Sequence, residues 1–175
     1  MAFEFEILDF FQTLHNTILT WIMKVASSLG DAGFIWILLA VILLLIPRTR
    51  KAGMVVAGAL ILDVITCNLI LKPMVARVRP YDVNTAIELL IRAPRDFSFP
   101  SGHTAASFAT VAALWFAGEK RLGIPALILA IFIAVSRMYF YVHYPTDVLG
   151  GVLLGIACGY VANKTMELWK KKQKA

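Results

Sequence analysis

Charge is scarce in this chain: 16% of its 175 residues are Asp, Glu, Lys or Arg, while 59% are hydrophobic. A soluble domain holds about 25% charged and 45–50% apolar residues. The shortage excludes an ordinary water-facing surface, and the surplus, gathered in long runs, places the chain in a membrane. Cysteine is scarcer still, with Cys67 and Cys158 each inside an apolar run. That placement excludes a disulfide scaffold and leaves two buried thiols. No cluster of acidic residues suggests a metal site, and no cofactor is implied. The start, Met1-Ala-Phe-Glu-Phe-Glu, has no positive region, so no cleavable signal peptide is expected. The net charge of +6 does not point to nucleic acid, because the basic residues form no basic face. A single domain over residues 1–175 is expected for this length.

What is present is a succession of apolar segments. Residues 3 to 28 repeat apolar side chains at helical spacing, Ile7, Phe11, Leu14, Ile18 and Val25 among them. Asp9, Gln12, His15, Asn16 and Lys24 fill the other faces. This predicts one amphipathic helix, either crossing the bilayer or lying along its surface. The run from Ala32 to Ile46 is short for a span, which needs roughly 17–25 residues, so it must borrow flanking residues or sit in thinned bilayer. Further spans are expected over Ala52–Leu71, Ser101–Ala117, Leu122–Tyr141 and Val148–Val161. The fold class is therefore all-α, a polytopic membrane bundle of about six helices.

Most of the seventeen Lys and Arg mark three cytoplasmic segments. These are Arg48 to Lys51, the pair Lys120 and Arg121, and the tail from Lys164 to Lys174. The span ends near Lys72, Ser101 and His143 then all face outward, which predicts a multi-pass plasma-membrane protein with its site outside and its C-terminus inside. Lys72, Arg77, Arg79, Arg92, Arg95 and Arg137 lie on that outer side against the usual bias, as a demand for positive charge would explain. Gly151, Gly155 and Gly159 repeat by four along the last span, and Ala105, Ala109 and Ala113 do so on an earlier one. Both predict close helix–helix approach. Between spans, Thr85 to Ile91 fits a short amphipathic helix, either a lid or a plain connector. Asp63, in mid-span, is expected to pair with a polar side chain of the bundle such as His15 or Lys24.

Three stretches carry ionisable groups where apolar ones would be cheaper. In Lys72-Pro-Met-Val-Ala-Arg77-Val-Arg79-Pro80, a helical path would put Lys72 and Arg79 on one face about 10 Å apart. Such a pair can grip phosphate, or each cation can snorkel to the interface, a role that suits Arg77. In Phe99-Pro-Ser101-Gly102-His103-Thr, Ser101 can cap a helix and Gly102 lets backbone approach an anion at its N-terminus. His103 is then either an interfacial histidine or a neighbour of that anion. In Ser136-Arg137 through His143-Tyr-Pro-Thr-Asp147, His143 is either an aromatic-belt residue or a nucleophile held by Asp147, with Arg137 on the phosphate. Pro145 fits if a new helix begins there.

In order, the stretches read Lys-x6-Arg-Pro, Pro-Ser-Gly-His and Ser-Arg-x5-His-x3-Asp, each at an outer membrane end. This set resembles the type-2 phosphatidic acid phosphatase superfamily, which includes membrane lipid phosphatases, glucose-6-phosphatase and vanadium haloperoxidases. The resemblance implies that His143 attacks phosphorus to form a phosphohistidine, that Asp147 orients it, and that His103 is the general acid. It further implies that Lys72, Arg79 and Arg137, with Ser101 and the Gly102 amide, stabilise the equatorial oxygens without a metal. The expected activity is hydrolysis of a membrane lipid phosphate, with undecaprenyl diphosphate the first choice and phosphatidylglycerol phosphate or phosphatidic acid the runners-up. A lipid phosphotransferase would share the phosphohistidine. A non-catalytic anion-binding protein would leave His103, His143 and Asp147 without work.

Overall fold

The first amphipathic stretch breaks at residues 14–16. In the computed structural model, which describes residues 2–173, helix α1 spans Ala2–Thr13 and α2 spans Thr17–Gly30. Asn16 is extended (φ −150°, ψ 163°), and its side-chain oxygen accepts a hydrogen bond from Leu19 N at 2.9 Å. An Asn side chain that satisfies a free N–H competes with helix continuation, so the one helix expected here is two. Phe5 and Leu8 of α1 pack with Tyr141 and Tyr144, and Gln12 donates to Tyr139 O at 3.2 Å. Helix α1 thus lies across one end of the bundle instead of running along it.

At Asp31–Gly33 the backbone turns through left-handed Ala32 (φ 50°) and Gly33 (φ 69°) into α3, Phe34–Leu45. Thr17–Leu45 is long and apolar enough to cross a membrane, so the short apolar run takes its missing length from α2. Helix α4, Arg50–Asp63, continues as a π-helix over Val64–Leu71 and closes in α5, Lys72–Val75. A single turn, α6 (Pro80–Val83), precedes α7 (Gly102–Phe116), α8 (Lys120–Tyr139) and α9 (Pro145–Lys172). The α4–α6 stretch, α8 and α9 also meet the length and hydropathy of spans. Ile37, Val41, Ile61, Leu69, Ile128 and Leu153 are exposed on the sides, as lipid-facing residues are. Among the described residues every regular element is helical. Of the expected basic tail, Lys170 to Lys172 end α9, and Lys174 lies outside the described residues.

Helix α7 is the hub, with Thr104, Ala105, Ser107, Ala109, Thr110 and Ala113 all buried. Its tightest seam is with α9, through the expected glycines. A Cβ at Gly155 would stand 2.5 Å from Ala105 O, and one at Gly159 would stand 2.6 Å from Ala112 Cβ. Backbones this close admit no side chain, and the contact fixes α7 and α9 relative to each other.

The expected helix over Thr85–Ile91 does not form; residues 84–101 cross the bundle end without regular helix or strand. Ile87 packs with the Tyr141 cluster, while Leu89 and Ile91 pack with that of Tyr139 and Phe140. Those three apolar residues alternate at a period of two, which suits an extended strap and not a helix.

Candidate active site

The start of α9 sets the geometry of the last motif. Tyr144 is its N-cap, Pro145 occupies the first turn, and Asp147 Oδ2 accepts from Tyr144 N at 2.9 Å. Asp147 is fully buried, and two more side chains donate to its carboxylate. Ser98 Oγ donates to Oδ2 at 2.5 Å and Arg77 Nη1 to Oδ1 at 2.6 Å. His143 Nδ1 stands 3.5 Å from Oδ2, close to the carboxylate but wider than a hydrogen bond. On the other side of the ring, Arg79 Nη1 lies 3.2 Å from His143 Nε2. An arginine can only donate, so Nε2 carries the lone pair and the Nδ1 proton faces the carboxylate. Burial comes first in holding the imidazole down, to about 3, helped by the charges of Arg79 and Arg137 and opposed by Asp147.

Lys72 and Arg79 converge, but not by the helical path expected of them. The helix ends at Val75, Ala76 is left-handed (φ 48°), and Arg79 is extended (φ −76°, ψ 153°). The fold instead turns the chain back, so that both cations hold Asp96. Lys72 Nζ bonds Asp96 Oδ2, and Arg79 Nη2 bonds Oδ1 at 2.7 Å. Burial pushes the Asp96 carboxyl up, yet the bond and charge of Lys72, with those of Arg79, outweigh it and hold the group at about 2. Gly102 forms the wall beside Lys72, since a Cβ there would stand 3.7 Å from Nζ and 3.5 Å from Asn68 Oδ1. Asn68 reaches this wall from the π-helix, whose wider turn shifts the residues that face inward.

His103 lies in the first turn of α7, and its Nε2 is 2.9 Å from Asp31 Oδ1. A carboxylate accepts, so Nε2 holds a proton and Nδ1 is the nitrogen left for exchange. The histidine borders two cavities. One, of about 260 Å³, is shared with Lys72, Asp96, Gly102 and Asn68. The other, of about 610 Å³, is shared with Asp31, Ser27, Arg92, Arg95 and Arg137. Arg137 donates to Ser27 Oγ while its buried Nε has no partner, and its charge reaches both histidines.

Several expectations need correction. Ser101 occupies the N-cap of α7 but makes no capping bond; its hydroxyl accepts from Thr104 Oγ1 at 3.0 Å, and its N–H donates to Asp147 O at 3.0 Å. Arg77 does not snorkel. It binds Asp147, meets Glu4 Oε2 at 2.8 Å, and stacks 3.9 Å over the Tyr144 ring. Asp63 pairs with neither His15 nor Lys24: it is buried at the smaller cavity with Oδ1 unpartnered, while His15 Nε2 meets Tyr139 O at 3.1 Å. Sequence reasoning missed Asp31, Arg77, Ser98 and Asp96 as site residues. Their signals were thin: a Gly-Asp-Ala-Gly turn, and polar residues spaced through an apparent connector.

Residues 52–171 match the PAP2 superfamily. The chain is 29% identical to undecaprenyl-diphosphatase of Sulfolobus acidocaldarius, over 89% of this chain and 74% of that protein. It is 30% identical to undecaprenyl-diphosphatase BcrC of Bacillus subtilis, over 84% and 75% respectively. In fold it superposes on the crystal structure of Aquifex aeolicus LpxE with a TM-score of 0.79, 26% identity, and coverage of 94% and 96%. The three motifs that the fold gathers at one end of the bundle have their explanation here: the chain belongs to the PAP2 superfamily, among its multi-pass membrane phosphatases.

Proposed function

We propose that this protein hydrolyses a lipid phosphate or diphosphate through a phosphohistidine on His143, with undecaprenyl diphosphate as the first-choice substrate. The observation that carries the reading is the His143 ring itself, with an unprotonated Nε2 beside Arg79 and Nδ1 facing the locked Asp147 carboxylate. The Nε2 lone pair forms the N–P bond as the bond from phosphorus to the leaving oxygen breaks. His103 gives that oxygen a proton, then takes one from the water whose oxygen displaces Nε2 and releases phosphate. Lys72, Arg79 and Arg137, with Ser101 and the Gly102 amide, balance charge on the equatorial oxygens. Asp31 fixes the His103 tautomer from behind. The chemistry asks for no metal ion. Two relatives named undecaprenyl-diphosphatases support the choice of substrate.

The charge pattern of the loops supports an outward-facing site with a cytoplasmic C-terminus, and a cysteine at Asn84 should react with an impermeant reagent in intact cells. Reaction only after permeabilisation would reverse the orientation. For the chemistry, the purified protein in detergent with EDTA should release phosphate from undecaprenyl diphosphate faster than from phosphatidylglycerol phosphate or phosphatidic acid. His143→Ala should release none. Undiminished turnover by that variant would sink the nucleophile, and a different ranking of lipids would replace the substrate.

A further inference from the structure

The phosphate cradle already holds an anion. Asp96 places one carboxylate oxygen on Lys72 Nζ and the other on Arg79 Nη2, the two-oxygen, two-cation arrangement that a phosphate would adopt there. The cations are sunk in the protein, with 8% and 3% of their side chains exposed, whereas the Asp96 side chain is 53% exposed. The carboxylate therefore sits as a plug between the cradle and the outside. The same guanidinium meets His143, with Nη1 3.2 Å from Nε2, so the plug holds a cation that also touches the histidine.

The loop does not depend on this carboxylate for its place. Arg79 Nε donates to the backbone oxygen of Asp96 at 2.8 Å, Ser98 N donates to Arg77 O at 2.9 Å, and Tyr81 Oη donates to Pro94 O at 2.5 Å. Bonds to the strap's own backbone on either side hold it, and the carboxylate can swing to water without breaking them. Its low titration point keeps it charged throughout the range in which a cell operates.

We propose that Asp96 is a built-in competitor for the phosphate cradle, displaced when the lipid headgroup enters and returning to expel inorganic phosphate after turnover. This rests on the phosphatase reading of the site and adds to it what sets headgroup affinity and product release. Competition inside one molecule has a sharp signature. Every anion that uses the cradle has its apparent affinity reduced by the same factor, the fraction of molecules in which the cradle is free. Weakly held phosphodiester headgroups, abundant in any bilayer, are thereby kept from occupying the site, while a monoester or diphosphate headgroup still enters.

The test is Asp96→Asn, which trades two charged acceptor oxygens for one neutral one. With phosphatidic acid as substrate in detergent, KM and the inhibition constant of inorganic phosphate should both fall by one common factor of about tenfold or more, the weight of a charge-assisted bond. The rate constant kcat should not rise, because the product leaves more slowly. Asp96→Glu, which keeps the charge, should move both constants back toward the native values. Constants that rise, stay, or shift by unequal factors overturn the proposal. Calorimetric titration of inorganic phosphate into the native and Asp96→Asn chains needs no turnover and separates the two levels of inference. Tighter phosphate binding in a chain that hydrolyses no lipid would retain the competitor and discard the phosphatase. Native hydrolysis with phosphate binding unchanged by the substitution would do the reverse.

Discussion

In the proposed reaction, His143 and His103 act from opposite kinds of surroundings. His143 is 2% exposed, and both of its ring nitrogens look at charged groups, Asp147 on one side and Arg79 on the other. His103 has a side chain 21% exposed, is held on one nitrogen by Asp31, and borders two cavities. A nucleophile must have one orientation and no competing proton, which burial and a locked carboxylate provide. An acid that later serves as base must exchange protons with a leaving group and with water, which an enclosed ring could not do. For the proposed roles, the contrast teaches that the partners on each ring nitrogen, and not burial alone, suit a histidine to its task.

The comparison breaks hardest at the nucleophile. His143→Ala should remove turnover for every leaving group, because no N–P bond can form. His103→Ala should cost about 10²–10⁴ in kcat for a lipid ester. With an aryl phosphate, whose leaving oxygen needs no proton, the first half-reaction should recover most of that loss, read as a burst of the phenol. Equal losses for both leaving groups would mean that His103 does not act as the acid. Asp147→Asn should fall between the two, since the ring keeps its place but loses the carboxylate that fixes its tautomer.

Acid sharpens the difference further. The folded His143 has its proton affinity depressed to about 3, below the value of about 6.5 that it has in an unfolded chain. Its contribution to stability is then complete above pH 6.5 and is lost as pH falls from there toward 3, because the unfolded chain takes up the proton first. Melting in detergent should show this slope in the native chain, and it should flatten in His143→Gln. Over pH 5–8 His143 stays neutral, so the rise and fall of kcat should follow His103 and the substrate phosphate. Asp31→Asn should reshape that profile and lower kcat by about tenfold, the loss of one oriented charge-assisted bond, while leaving KM for the lipid nearly unchanged. A uniform drop with the native pH profile would assign Asp31 a merely structural role.

Much of this arrangement was legible in the residues, and what was not has a common physical cause. Apolar runs, the small-residue repeats and the helix-starting Pro145 depend on neighbours within a few turns, so α7 and α8 stand close to the expected runs and α9 begins near its own, though it continues to Lys172. The break at Asn16 is equally local, since Asn before Thr is a start signal. Asp31, Asp96 and Arg77 were a different matter. Each reaches its partner through tertiary folding: Asp31 lies on a turn that meets α7, and Arg77 bridges α1 and α9. The helical path drawn from Lys72 to Arg79 failed at Ala76, where no sequence rule anticipates a left-handed alanine. Their meeting survived because it depends on the strap carrying Asp96.

The gentlest way to perturb the buried histidine runs through α1. Glu4 meets Arg77 Nη2 at 2.8 Å and accepts from Thr146 Oγ1, while Arg77 Nη1 holds Asp147. Burial raises the Glu4 carboxyl, but Thr146 and Arg77 together outweigh it and hold the group below its ordinary value. Its contribution is therefore present above about pH 4.5 and is lost as pH falls below that. Glu4→Gln removes a charge that water already screens in part, and Arg77 keeps Asp147, Thr146 and the Tyr144 ring. The expected cost is about 0.5–1 kcal/mol in stability and less than about threefold in kcat. A larger loss of kcat with the melting temperature unchanged would show that α1 orients the nucleophile through Arg77 and Asp147, and would make the surface helix part of the machinery around His143.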